Sequence, residues 1–76
     1  MTKLYEVEIN KCFDAYVFYK DDPDLPIKDA LSINLTPDEK IIKILAKDGM
    51  LYIIPTASIQ GITCNNIHNR WENIDG

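Results

Sequence analysis

Cys64 and His68 stand four residues apart, and Cys12 supplies the second thiol of the chain. Thiolate and imidazole suit zinc, but a closed zinc site takes four ligands at characteristic spacing, and these three do not make that pattern. A thiol beside an imidazole is also the start of a nucleophilic pair, which needs a third group to orient the base. No residue stands where it would plainly supply that group. Cys12 and Cys64 therefore read as structural thiols and His68 as a surface histidine. No catalytic residue, metal or cofactor is assigned, and the chain reads as non-enzymatic.

Asp21, Asp22 and Asp24 crowd three carboxylates into one loop, the kind of oxygen-rich arrangement that calcium favours. The spacing of an EF-hand and its distant glutamate are missing, so the loop reads as a solvated acidic turn. If it has a purpose, steering toward Lys or Arg on a partner protein suits it best.

The elements that must position these groups have to come from one small domain, residues 1–76, of a size that buries about 60% of its unfolded surface. A hydrophobic fraction of 46% is enough for one core without staples. The net charge of -4 and a pI near 4.7 repel phosphate backbones, so nucleic acid is not the expected partner. The opening "MTKLYEVEIN" alternates polar and apolar residues without a continuous apolar run, and is read as neither a signal peptide nor a membrane anchor. The expected location is cytoplasmic, with both cysteines as free thiols. The triplet Asn34, Leu35, Thr36 matches a glycosylation acceptor only formally.

"LYEVEIN" places Tyr5, Val7 and Ile9 on one face, the period of a half-buried strand. "CFDAYVFYK" follows with Phe13, Ala15, Val17 and Tyr19 on one face and Tyr16 and Phe18 on the other. "DDPDLPIKD" reads as a loop, from its two prolines and its acids. "LSINL" resumes alternation through Leu31, Ile33 and Leu35 as a short strand.

"TPDEKIIKILAKDGMLYIIP", residues 36–55, admits two readings. As a helix it has Thr36 as cap, Pro37 at the first position, Glu39 completing a capping box and Gly49 past the end. As a hairpin it turns at "TPDE" and again at "KDG", with Gly49 in the left-handed conformation. That register pairs Ala46 with Met50, Ile44 with Tyr52 and Ile42 with Ile54 on one face, leaving Ile41, Lys43, Leu45, Leu51 and Ile53 on the other. The β-branched Ile41, Ile42 and Ile44, and the β-branched segment "IQGITC" beyond, favour the hairpin. The tail "NNIHNRWENIDG" spaces Ile67, Trp71 and Ile74 at four and three, which predicts a short helix capped at Asn65 or Asn66, or else a flexible tail, over 65–76.

A strand, an Asp-Gly turn, a strand ending in Pro55, one 3₁₀ turn and a closing strand, over residues 40–64, resemble the second half of an SH3-like or Sm-like small barrel. The resemblance implies a mostly β fold, a small barrel or strongly bent antiparallel meander of five to six strands. Sm-like barrels form rings that hold RNA through basic residues in their turns. The matching turn here carries Lys47 and Asp48, whose charges cancel, so that role is not carried over.

A domain this small cannot cover both faces of two apolar strands, so either the sheet curls tightly or an apolar patch stays exposed. The expected function is a non-catalytic protein-binding module, a small acidic inhibitor or adaptor of the kind phages and mobile elements encode. It would dock on another protein or on itself, as a homo-oligomer. Tyr16, Phe18, Leu45, Leu51, Ile53 and Trp71 are the expected contacts, with Asp21, Asp22 and Asp24 steering. The rival reading is a ring-forming barrel that binds a nucleotide or single-stranded RNA between protomers.

Overall fold

A computed structural model describes residues 2–70. Six strands follow one another: β1 (Thr2–Glu6), β2 (Lys11–Tyr19), β3 (Leu25–Leu35), β4 (Ile41–Ala46), β5 (Leu51–Pro55) and β6 (Ile59–Asn69). One 3₁₀ turn, Thr56–Ser58, joins β5 to β6. All pairings are antiparallel, in one unclosed sheet of order β5-β4-β3-β2-β6 with β1 also on β3. No α-helix occurs among the described residues, and no helix is long and apolar enough to cross a membrane.

Residues 36–55 form the hairpin. Ile42 pairs with Ile54, Ile44 with Tyr52 and Leu45 with Leu51, the register the Lys47-Asp48-Gly49 turn dictates. Gly49 has φ +90, its N–H donates to the Ala46 carbonyl at 3.0 Å, and the Asp48 carboxylate accepts the Met50 N–H at 2.9 Å. The residues that could have capped a helix close a β-turn instead. Thr36 Oγ1 donates to Asp38 Oδ1 at 2.7 Å, the Lys40 N–H donates to the same oxygen at 3.0 Å, and Glu39 takes φ +61. A polar side chain at a chain reversal satisfies N–H groups equally well in a cap or a turn, so flanking β-branched residues decide.

β3 is twice the expected length. Its first half pairs with β2 (Ala15 with Ile27), and its second half lies between β1 and β4 (Ile33 opposite Tyr5 and Ile44). Asp29, at φ +58, stands at the junction, and the pairing register slips beside it on both sides. Such a bulge bends a strand and re-aims its side chains, so Ile27, Ala30 and Ile33 all point inward at a spacing of three. That lost alternation is why Leu25–Asp29 reads as a loop in sequence. Pro26 fits because only β2 flanks this half of the strand.

Three other expectations are corrected. β1 ends at Glu6, so Val7 only partly packs on the core and Ile9 is 78% exposed, beside a turn in which the Lys11 N–H donates to the Glu8 carbonyl. Met50, expected inward, precedes β5 in the turn and is exposed. Residues 65–69 do not begin a helix: β6 continues to Asn69, with Asn66 at φ +55 forming another bulge opposite Phe13. Trp71 and Ile74 lie outside the described residues.

The core is one inner layer. Phe13, Ala15 and Val17 of β2, Ile27, Ala30 and Ile33 of β3, Ile42, Ile44 and Ala46 of β4 and Ile54 of β5 are buried together. Tyr5 meets Phe13 edge-on, ring centroids 4.8 Å apart. The 3₁₀ turn connects the two outer strands, β5 and β6, and prolongs the ladder on each side of it: the Lys20 N–H donates to the Ser58 carbonyl at 3.0 Å, and the Thr56 N–H to the Lys40 carbonyl at 2.9 Å.

Two outcomes check this local chemistry. Gly49→Ala meets no neighbouring atom within 4 Å, so its cost is backbone strain alone, and denaturant unfolding should show a loss of about 1–2 kcal/mol. The Asp38 carboxyl is held below its ordinary value of 3.8, first by the Thr36 hydroxyl and then by the Lys40 N–H. A carboxylate with a depressed folded pKa stabilises above its unfolded value and loses that effect as pH falls. Asp38→Asn should therefore lower the melting temperature near neutral pH, with the gap to the parent closing in acid below 3.8.

Candidate functional site

β5 is an edge strand, paired only with β4. Ala46 and Met50 are joined by a hydrogen bond, Ala46 N–H to the Met50 carbonyl at 2.9 Å. Antiparallel pairs alternate between bonded and non-bonded, so Ile44/Tyr52 and Ile42/Ile54 are the next bonded pairs. The N–H and C=O groups of Leu51 and Ile53 therefore point away from β4, along the free edge. Their side chains are 48% and 60% exposed and share the outer face with Leu45, Lys43, Ile41 and Pro55. Leu45, Leu51 and Ile53 are thus brought together as an apolar face without a carboxylate.

The other expected contacts are not part of it. Tyr16 is exposed on the outer face of β2, and β3 separates it from β4. Phe18 is half-buried on β2, opposite Gly61 of β6. Asp21, Asp22 and Asp24 are exposed in the loop between β2 and β3, which starts beside the 3₁₀ turn. Trp71 lies outside the described residues.

A second cluster forms where β2, β3 and β6 meet. Register brings Cys12 opposite His68, and the Asp29 bulge turns its carboxylate toward both. His68 Nε2 lies 2.6 Å from Asp29 Oδ1 and 3.2 Å from Cys12 Sγ, and Cys12 Sγ is 3.6 Å from Asp29 Oδ1. His68 Nδ1 meets the Asn66 carbonyl at 2.5 Å. Asp14 supports the group from behind, accepting the Asp29 N–H at 3.3 Å and the Asn66 side-chain amide at 2.7 Å.

The charges follow from these contacts. Two acceptors, first the Asn66 carbonyl and then the Asp29 carboxylate, raise the His68 pKa, because both ring nitrogens donate only in the imidazolium. The hydrogen bond from His68 in turn lowers Asp29. Burial, and then the Asp29 charge, push the Cys12 thiol up. A cysteine nucleophile needs the opposite shift, and a base oriented through its far nitrogen by a carboxylate. Here the carboxylate shares the near nitrogen with the sulfur, so the cluster is not built as a nucleophilic triad.

The thiol beside His68 is therefore that of Cys12, whereas in the sequence alone Cys12, Cys64 and His68 read as unconnected structural and surface residues. Cys64 points inward against the core and lines a groove with Leu4, Tyr5, Ile33 and Ile62, its thiol pushed up by burial. No family model, curated protein or solved structure matches this chain. The fold and site define a small antiparallel β-sheet domain with one open apolar edge and one polar cluster.

Differential alkylation of the native protein at neutral pH should label Cys64, which is partly exposed, ahead of Cys12, which is fully buried and held as the thiol. Both should react equally once the chain is unfolded, as mass mapping of the labelled peptides would show.

Proposed function

We propose that the protein is a non-catalytic protein-binding module of SH3-like type, and that the chain it docks on is a second copy of itself, through β5. The SH3-like reading is supported by the succession of hairpin, Pro55, 3₁₀ turn and closing strand over residues 41–69. The docking reading rests on one observation: β5 offers unpaired backbone groups and exposed Leu51 and Ile53 on the same short, regular strand. Soluble proteins usually blunt such an edge with charge or a bulge, and an unblunted one pairs with another strand.

Self-pairing suits this edge because it is self-complementary. In an antiparallel pairing about a two-fold axis at Tyr52, Leu51 faces Ile53 of the partner subunit and exchanges both backbone hydrogen bonds with it. The outer faces of the two copies then run together, joining Leu45, Leu51 and Ile53 into one apolar surface. Pro55 has no N–H to extend the ladder, which keeps the contact short. The acids at 21, 22 and 24 lie off this face, and their charge opposes growth beyond the pair. A crevice for a nucleotide or RNA would need an aromatic platform at the edge, whereas Tyr52 packs on the core and Tyr16, on β2, lies three strands from β5.

Light scattering coupled to size exclusion should give the mass of a dimer. Leu51→Asp should yield the mass of a folded monomer. So should Ile53→Pro, which removes only an outward N–H and leaves the ladder to β4 intact. A parent chain that stays monomeric up to millimolar concentration would overturn the reading.

A further inference from the structure

Cys12, Asp29 and His68 come from three different strands, and their ligand-capable atoms all lie within 4.8 Å of one another. We infer that they form a binding site for one divalent transition-metal ion of the zinc class, with Cys12 Sγ, His68 Nε2 and Asp29 Oδ1 as ligands.

Bond lengths of about 2.3 Å to sulfur and about 2.0–2.2 Å to nitrogen and oxygen, at tetrahedral angles, place the sulfur about 3.5 Å from each of the other two ligands. The sulfur lies 3.2 Å from the nitrogen and 3.6 Å from the oxygen. Only the nitrogen-oxygen separation, 2.6 Å, is short, because a hydrogen bond spans it. An ion replaces that proton and widens the gap by about 0.7 Å, within reach of a turn of the Asp29 side chain.

The surroundings match what a metal site needs. The Asn66 carbonyl takes Nδ1–H of His68, which fixes the tautomer that leaves Nε2 free to ligate. Asp14 anchors both Asn66 and the Asp29 backbone, so the two segments that carry ligands share one support. A thiolate and a carboxylate neutralise a divalent ion, which lets it sit at a partly buried position. The sulfur selects zinc, cobalt or a softer ion over magnesium and calcium. Asp29 and His68 are 44% and 29% exposed in their side chains, so the fourth position opens to solvent and takes water or an external ligand.

Cobalt(II) added to the reduced, metal-stripped full chain tests this without any assumption about activity. One equivalent should bind, with a thiolate-to-cobalt charge-transfer band and the intense visible bands of a tetrahedral ion. Zinc should displace it. Cys64→Ser should leave the spectrum unchanged, and Cys12→Ser should abolish the charge-transfer band. Asp29→Ala and His68→Ala should each weaken binding about 100-fold or more, and Asp14→Asn, which touches only the supporting bonds, about 10-fold. Circular dichroism separates a lost ligand from a lost fold. The parent spectrum decides even where a variant unfolds: absence of a thiolate band at saturating cobalt overturns the site, as does a band lost with Cys64 and kept without Cys12.

Discussion

One strand has to serve three neighbours, and the rest of the molecule depends on how it does so. β3 faces β2 with its first half, β1 with its second, and β4 along the other side of that second half, which is possible only because it bends at Asp29. A left-handed backbone costs a non-glycine residue roughly 1–2 kcal/mol, and a bulge interrupts the ladder. Both costs are offset at this residue. Its N–H meets Asp14, its carbonyl accepts the Lys47 N–H at 2.8 Å, and its carboxylate meets His68 and Cys12. No polar group of Asp29 is left to be buried alone, so the bend is stable where it stands.

The bend is part of a line of irregularities that crosses the sheet. Asn66 bulges in β6, the register of β2 slips on both sides of Phe13, Asp29 bulges in β3, and the tip of the β4–β5 hairpin is tied to Asp29 by Lys47. Curling the sheet along this line lets a short chain wrap one buried layer, and it draws three polar side chains from distant positions into one corner. The polar cluster is therefore a product of the curvature that makes the core. The uncovered outer face has the same origin, since a single sheet has no second layer to spend on it.

How much of this was legible in the sequence depends on where the bulges fall. The hairpin from Ile41 to Pro55 was readable, because β4 and β5 pair without a register shift and the Asp-Gly turn fixes which residues face each other. Leu45, Leu51 and Ile53 could for that reason be assigned to the outer face. Leu25–Asp29 was not readable, since Pro26 and a bulge hide a strand behind loop chemistry. Cys64 and His68 show the same effect most plainly. Four apart on an unbroken strand they would share a face, but Asn66 adds a residue between them, sending Cys64 to the core and His68 to Cys12. The start of the predicted helix, Asn65 to Asn69, was misread for a related reason, because a bulged strand has no regular period to display. Cys12 and Asp29 carried no local signal at all: pairing across 56 and 39 residues brings them to His68, and the register that does so depends on bulges that sequence spacing does not announce.

The two long margins of the sheet differ in a way that bears on docking. β6 presents Gln60, Thr63, Asn65, Asn66 and Asn69 as exposed polar side chains around a single large exposed apolar one, Ile67, and its bulge at Asn66 breaks the flat run another strand would need. These are the devices by which proteins keep an edge from pairing. β5 has neither a bulge nor a charged side chain, and two of its five residues are large, apolar and about half exposed or more. A chain of this charge can stay soluble with one such margin, but exposing Leu51 and Ile53 to water brings no structural gain, since neither contributes to the core. With one margin protected and the other open on the same small sheet, the difference between β5 and β6 is what the proposed docking through β5 rests on.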